Sequence, residues 1–331
     1  MHVRKITLAE VARHAGVTHQ TASRVLGGKA HLHATETAQR VQAAAKALGY
    51  RPNAAAQALR SGSASTVALV AAFDGGDPLP TDALAAALAD LDRRGWTLAL
   101  ARTGLRPSDP DFMPRLLRQD LVTGVLVHGL GQRSLPLAQR LTAERIPAVW
   151  IAEDLPANAL RFDEAGAMTG LGEALLEGGA RRLLYCDGSL RSRTDALAQE
   201  RLAGFEACAR ASGQAWTTWL GRGDDRRDQR RDEVAAIVRD LQPDGVVCAS
   251  PAEAAFVLGE VLPACGMSPG RECHLATIGT ARDLRDLPVL GMIRPWDDLI
   301  TQALDILERL IDGADDQPAR IIPCRFRPAA P

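Results

Sequence analysis

The sequence predicts a small all-α head followed by a larger α/β body built on parallel sheets. Three observations predict it. Residues 7–26 hold two short amphipathic helical patterns separated by a glycine, each behind its own capping residue. From Thr66 onward, short apolar runs alternate with amphipathic stretches, the order that produces parallel strands covered by helices on both faces. The charge divides at the same place: residues 1–60 carry nine Lys/Arg against two Asp/Glu, so a head of +7 sits on a body of −8 in a chain of 331 residues.

In the head, Thr7 stands three residues before Glu10, the spacing of a capping box, and Leu8, Val11, Ala12 and Ala15 form one apolar face. Gly16 suits a left-handed stop, Val17 fills the corner, and Thr18 caps a second helix whose inner face is Ala22, Val25 and Leu26. That is the plan of a helix-turn-helix. The outer face of the second helix carries His19, Gln20, Thr21, Ser23 and Arg24. Arg matches the two acceptors of guanine and Gln the acceptor–donor pair of adenine in the major groove. A capped hairpin with a polar second helix and no partner has the same local pattern, but the basic charge around this one favours a polyanion.

A third helix is read from about Glu36 to Leu48, with Val41, Ala44, Ala45 and Leu48 inward, Thr35 as its cap and Gly49 as its stop. Pro52 and Asn53 follow, then a helical segment at 54–60; at about seven residues it is too short to hold alone in water. Residues 61–65, SGSAS, form a flexible linker. In the body, strands are read at 66–73, 97–102, 123–128, 147–152, 182–186, 245–249, 275–279 and 289–293. Helical patterns lie among them at 81–94, 134–145, 164–178, 196–212, 251–265 and 297–312.

These residues resemble the DNA-binding headpiece of the lac repressor and galactose repressor family of bacterial transcription regulators. The resemblance rests on T-L-x-E-V-A-x-x-A-G-V at Thr7 to Val17, T-A-S-R-V-L at Thr21 to Leu26, L-G-Y-R-P-N at Leu48 to Asn53 and Q-A-L at Gln57 to Leu59. It implies that His19, Gln20 and Arg24 read bases, while Thr7, Thr21, Ser23, His31 and Asn53 bond phosphates or steady the docking. It further implies a hinge helix whose small face, including Ala56, pairs with a second copy and whose Leu59 wedges into the minor groove of a pseudopalindromic operator. One departure lies in LHATETAQRV, Leu32 to Val41, which is a residue longer than the family pattern.

Over the body, D-x-x-G-A at Asp163 to Ala167, G-A-R-R-L at Gly179 to Leu183, E-R-L-A-G-F at Glu200 to Phe205 and D-G-V-V-C-A-S at Asp244 to Ser250 extend the resemblance. It implies two doubly wound parallel-sheet lobes of periplasmic-binding-protein type joined by three crossings. The expected division is a helix-turn-helix domain at 1–52, a hinge and linker at 53–65, and an effector-binding and dimerisation domain at 66–331. Its lobes are expected at about 66–161 with 294–319 and 162–293 with 320–331, the last strand being ARIIPCRFRP.

Ligands of such sheets bind outside the carboxyl ends of the strands. Arg201 falls on the family's ligand arginine, and the other candidates are Asp77, Glu153, Asp225, Ser250 and Trp296, the last as a sugar-stacking ring or as packing. Three family acceptor positions are changed, to Ala152, Ser250-Pro251 and Ala281. With the arginine kept and acceptors removed, the balance tilts toward an anionic carbohydrate-like effector, such as a sugar acid, over a neutral hexose.

The six cysteines are scattered without a C-x-x-C, so neither a disulfide framework nor a zinc site is expected, and no cofactor. No apolar stretch approaches the ~20 residues of a membrane span and no signal-peptide core follows the basic start, so the reading is a cytoplasmic protein without a membrane partner. There is no G-x-G-x-x-G after a strand, no P-loop and no G-x-S-x-G, and His128 is read as ending a strand; an enzyme is not expected. The expectation is a homodimeric regulator, most simply a repressor, on double-stranded operator DNA under small-molecule control. The alternative is a cytoplasmic solute-binding protein without regulatory DNA binding.

Overall fold

The computed structural model describes residues 6–26, 32–48, 50, 66–71, 79–104, 106–109, 112–119, 121–188, 196–222 and 226–329. The hinge and linker read at 53–65 lie outside the described residues, as do His31, Asn53, Ala56, Leu59, Asp77 and Asp225. The chain divides into one compact unit that carries the head and another that carries nearly all of the body.

The head contains α1 (Leu8–Ala15), α2 (His19–Arg24) and α3 (Thr35–Ala47). The capping box closes as read: Thr7 Oγ1 accepts from the Glu10 N–H at 3.3 Å while Glu10 Oε2 accepts from the Thr7 N–H at 2.7 Å. Gly16 holds φ +66 and its N–H bonds the last carbonyls of α1, a conformation that a Cβ would disfavour. Thr18 Oγ1 accepts from the Thr21 N–H at 3.1 Å and starts α2. The third helix differs from expectation. Thr35 is already helical, Ala34 occupies the cap position in an extended conformation, and no side chain caps α3. Buried Leu8, Val11, Ala22, Val25, Val41 and Ala44 knit the three helices together.

In the body, strands β1 (Thr66–Ala71), β2 (Thr97–Ala101), β3 (Gly124–His128), β4 (Ala148–Ile151), β5 (Ala159–Phe162) and β11 (Arg320–Ile322) make one sheet, in the order β11-β5-β4-β3-β1-β2. A second sheet joins β6 (Arg182–Asp187), β7 (Ala215–Leu220), β8 (Gly245–Cys248), β9 (His274–Gly279), β10 (Leu290–Ile293) and β12 (Arg325–Arg327), in the order β12-β10-β9-β8-β6-β7. Pairing is parallel from β6 to β10, with β12 antiparallel on β10.

The connecting helices are α4 (Thr81–Arg93), α5 (Arg115–Arg118), α6 (Ser134–Ala143), α7 (Glu164–Glu177), α8 (Ala196–Ser212), α9 (Arg227–Leu241), α10 (Pro251–Phe256, continued by a π turn at Val257–Val261) and α11 (Trp296–Ile311). In the first lobe α4 and α11 bury Ala83, Leu91, Leu299, Ile300 and Leu304 against the sheet. In the second, α7 and α8 cover one face through Met168, Leu171 and Phe205, while α9 and α10 cover the other through Val234, Val238 and Val257.

The chain passes between the sheets three times: from β5 to α7 across Asp163, from β10 to α11 across Arg294 and Pro295, and from β11 to β12 across Pro323 and Cys324. The last passage corrects the reading of ARIIPCRFRP as one strand of the second lobe. Arg320–Ile322 pairs with β5 of the first sheet, and only Arg325–Arg327 joins the second. Pro323, which has no N–H for a ladder, ends the first pairing.

Candidate nucleic-acid interface and ligand cleft

On the head, the fold puts His19, Gln20 and Arg24 in solvent on one short helix, with Thr21 and Ser23 half-buried beside them. Their backbone is pinned at both ends: Thr18 starts α2 from outside, and Ala22 and Val25 anchor it from within. Thr21 Oγ1 shares a 2.9 Å hydrogen bond with Thr18 Oγ1, and Thr7 is exposed with its hydroxyl in the capping box. The result is a rigid, polar, donor-rich ridge.

In the body, parallel strands bring their carboxyl ends to a common edge in each lobe, and the crossings lie beside those edges. Glu164 opens α7 directly after the first crossing and is 3% exposed. It holds Arg294, at the second crossing, by two parallel bonds: Nε to Oε1 and Nη2 to Oε2, both 2.8 Å. Its Oε2 also accepts from Arg201 Nη1 at 3.1 Å. Burial opposes ionisation of Glu164, but Arg294 and Arg201 outweigh it and hold the carboxyl below its usual range. Desolvation likewise opposes the charge on Arg201, and Glu164, Tyr185 and Asp187 overcome it and raise the guanidinium further. Arg201 Nε has no hydrogen-bond acceptor among the described residues. Tyr185 lies buried close by, its phenol pushed up by burial and by the Asp187 charge.

Arg161, on β5, reaches both carboxylate oxygens of Glu200, on α8, at 2.7 and 2.6 Å and so bridges the lobes. Farther along the second sheet, Glu253 accepts from the Gly188 N–H at 3.0 Å and from Arg230 at 2.9 Å. Burial raises the Glu253 carboxyl above its ordinary value despite the guanidinium.

Arg201 is thus at the cleft, and other candidates have different tasks. Glu153 is 6% exposed and takes the Leu130 N–H at 2.6 Å and the Ser134 hydroxyl at 2.8 Å, so its carboxylate ties down the start of α6. Ser250 is the N-cap of α10, its Oγ accepting from the Glu253 N–H at 3.2 Å. Trp296 is 6% exposed and packs edge-on against Phe162 (centroids 4.9 Å) and His128 (5.6 Å). It is a core residue rather than a stacking platform, although its Nε1–H has no acceptor among the described residues. His128 ends β3 as read, with Nδ1 3.0 Å from the Ile151 carbonyl. Arg201, on which the tilt toward an anionic effector rests, shares the Glu164 carboxylate with Arg294 through Nη1.

Sequence reading did not single out Glu164, and it placed Arg294 only within a candidate loop, 294–297, near a crossing. A Glu in the first turn of a helix is ordinary, since it favours the positive end of the dipole, and its partners stand 37 and 130 residues away. Among the described residues no group of three or more His, Cys, Asp or Glu is placed to hold a metal, and no helix is long and apolar enough to cross a membrane.

The family model for bacterial regulatory proteins of the lacI family matches residues 7–53. The maltose regulon regulatory protein MalI of Vibrio furnissii is 38% identical over 104 residues, which cover 31% of this chain and 74% of that protein. The chain belongs to the LacI family. A second relative, the HTH-type transcriptional regulator PtxS of Pseudomonas plecoglossicida, is 30% identical over 213 residues, or 63% of this chain and 61% of that one. The chain thus spans less than two thirds of PtxS. Both relatives are regulators, not enzymes. The LacI-type fold extends beyond the head: a lac repressor dimer bound to operator and the anti-inducer ONPF superposes with a TM-score of 0.80 at 20% identity, over 98% of each chain.

Proposed function

We propose that this LacI-family protein is a DNA-binding transcriptional repressor that acts as a dimer on a pseudopalindromic operator and is released or recruited by a carbohydrate-like small molecule in the cleft between its lobes. The observation that carries the reading is the exposed His19–Gln20–Arg24 ridge on a doubly anchored recognition helix within a strongly basic head. Donors of this kind read base edges, while the surrounding positive charge supplies the phosphate attraction that makes binding salt-dependent. The fold shared with an operator-bound dimer supports two-fold docking, and two lobes meeting at buried polar groups support a ligand that changes their closure.

The test is selection from a library of random duplexes with the full-length protein, repeated at two salt concentrations. Enrichment of a pseudopalindrome, with affinity falling steeply as salt rises, is the expected result. Uniform, purely salt-sensitive binding without an enriched sequence would overturn the operator reading.

A further inference from the structure

The carboxyl edge of the second sheet holds a second buried ion pair, apart from Arg201 and Glu164. Glu253, in the first turn of α10, has a side chain 7% exposed; it accepts from Arg230, near the start of α9, at 2.9 Å and from the Gly188 N–H, just past β6, at 3.0 Å. The Arg230 guanidinium lies over the rings of Trp219, near the end of β7 (5.6 Å), and Phe256, on α10 (4.8 Å). Gly188 is seated with no room for a side chain: a Cβ there would stand 2.6 Å from Glu253 Oε2 and would run into Arg230 Nη2. Gly221, just past β7, approaches so closely that its own Cβ would meet the Gly188 Cα at 2.8 Å, and its N–H bonds the Asp187 carbonyl at 2.8 Å. One pair of side chains thus gathers the chain leaving β6 and β7 onto the starts of α9 and α10.

A buried ion pair is a poor source of net stability, because desolvation costs the partners much of what their attraction returns. What such a pair supplies is fixed geometry. Here the geometry bears on Asp187, which directly precedes Gly188 and adds to the negative field at Arg201. Resting on the reading of the cleft as the effector site, we propose that Arg230 and Glu253 are positioning residues for it: they clasp the carboxyl edge of the second lobe at Gly188, hold Asp187 in place with it, and keep this edge from opening ahead of the rest of the lobe. With the clasp broken the edge opens locally, at a lower cost than global unfolding. The chain carries its own reporters of that opening. Cys186, two residues before Gly188, faces Cys248 in register across β6 and β8, and both are fully buried thiols. Cys273 is equally buried in the same core cluster, but it precedes β9, at the amino end of the sheet.

The test needs no knowledge of the natural effector. The full-length protein is labelled with N-ethylmaleimide under native conditions, and the labelling rates of Cys186, Cys248 and Cys273 are read by peptide mass spectrometry. Glu253→Ala is expected to speed Cys186 and Cys248 by at least about tenfold while Cys273 keeps its wild-type rate. Arg230→Met, which keeps an apolar chain against the two rings, is expected to do the same and serves where Glu253→Ala does not fold. Glu253→Gln, which keeps an acceptor for the Gly188 N–H, should lie closer to wild type than Glu253→Met, which fills the same space without one. Equal acceleration of all three thiols would show that the variants unfold more readily as a whole, and no acceleration at Cys186 would show that the edge is held without the clasp; either result overturns the proposal, as does a match between Glu253→Gln and Glu253→Met. Failure of the cleft reading itself has a different signature: no mono- or disaccharide would alter operator binding, while the thiol pattern would persist.

Discussion

The Arg161 guanidinium places Nη1 2.7 and 2.6 Å from the two carboxylate oxygens of Glu200, linking β5 of the first lobe to α8 of the second one residue before Arg201. The side chains are 20% and 31% exposed, so solvent screens the pair, and it is worth at most about 1 kcal/mol of stability. Its consequence is for lobe closure. Arg161→Ala and Glu200→Ala, with the double variant, should give a coupling of roughly 0.5–1 kcal/mol in urea unfolding that shrinks as salt is raised. Full additivity at low salt would show that the bridge contributes nothing.

Glu164 behaves differently because it is buried. Glu164→Ala leaves two guanidiniums facing an uncompensated void and should cost about 3–5 kcal/mol, measured by denaturant unfolding. A loss below about 1 kcal/mol, no more than an exposed pair contributes, would mean that water replaces the carboxylate freely.

The same carboxylate gives stability a pH dependence. Its folded pKa is lowered, so its contribution is complete above the unfolded value of about 4.3 and is lost as pH falls through the lower folded value. Between neutral pH and that window, wild type and Glu164→Gln should keep a constant difference in unfolding midpoint. Below it the two should converge, and a difference that persists into strong acid would contradict the assignment.

Legibility from sequence followed the separation of the partners. The capping box, the Gly16 stop and the Thr18 cap bind groups within a few residues, and each formed as read. Strand β5 was not recognised: ALRF is interrupted by Arg161, and no helix separates it from β4. Strand β7, AWTTWL, lies at a sheet edge and is mostly half-buried, so it lacks the continuous apolar run of a central strand. Helix α9 buries Val234, Ala235 and Val238 beneath a charge-rich exterior that hid its amphipathic face. In the cleft, Arg201 was legible through its motif, whereas its partner Glu164 became visible only once the first two crossings were brought together.

On the head, Arg24→Ala should cost about 1–3 kcal/mol at one base position of a selected operator and relax specificity there, while leaving the fold of the head intact because the side chain is exposed. Thr18→Ala acts through the cap instead. It should destabilise the head by about 1 kcal/mol and weaken binding at all base positions alike. Comparing the selected sequences of the two variants separates base reading from helix positioning; identical profiles would remove Arg24 from the reading set.

A close helix contact in the second lobe is set by a missing side chain. A Cβ on Gly204 would stand 2.2 Å from the Ala165 carbonyl oxygen and 2.8 Å from its Cα, atoms of the α7 backbone that cannot swing aside. Gly204 sits on α8 three residues after Arg201, and Ala165 follows Glu164, so this approach of the two helices is what brings Arg201 Nη1 to the Glu164 carboxylate. Gly204→Ala must therefore push α8 away from α7. Overpacking of this kind costs about 1–3 kcal/mol, and here it should also lengthen the Arg201–Glu164 contact. The variant is expected to lose stability in urea and to lose part of the acid-dependent step that Glu164 produces. Unchanged stability with an unchanged acid step would show that the helices can separate without loosening the ion pair.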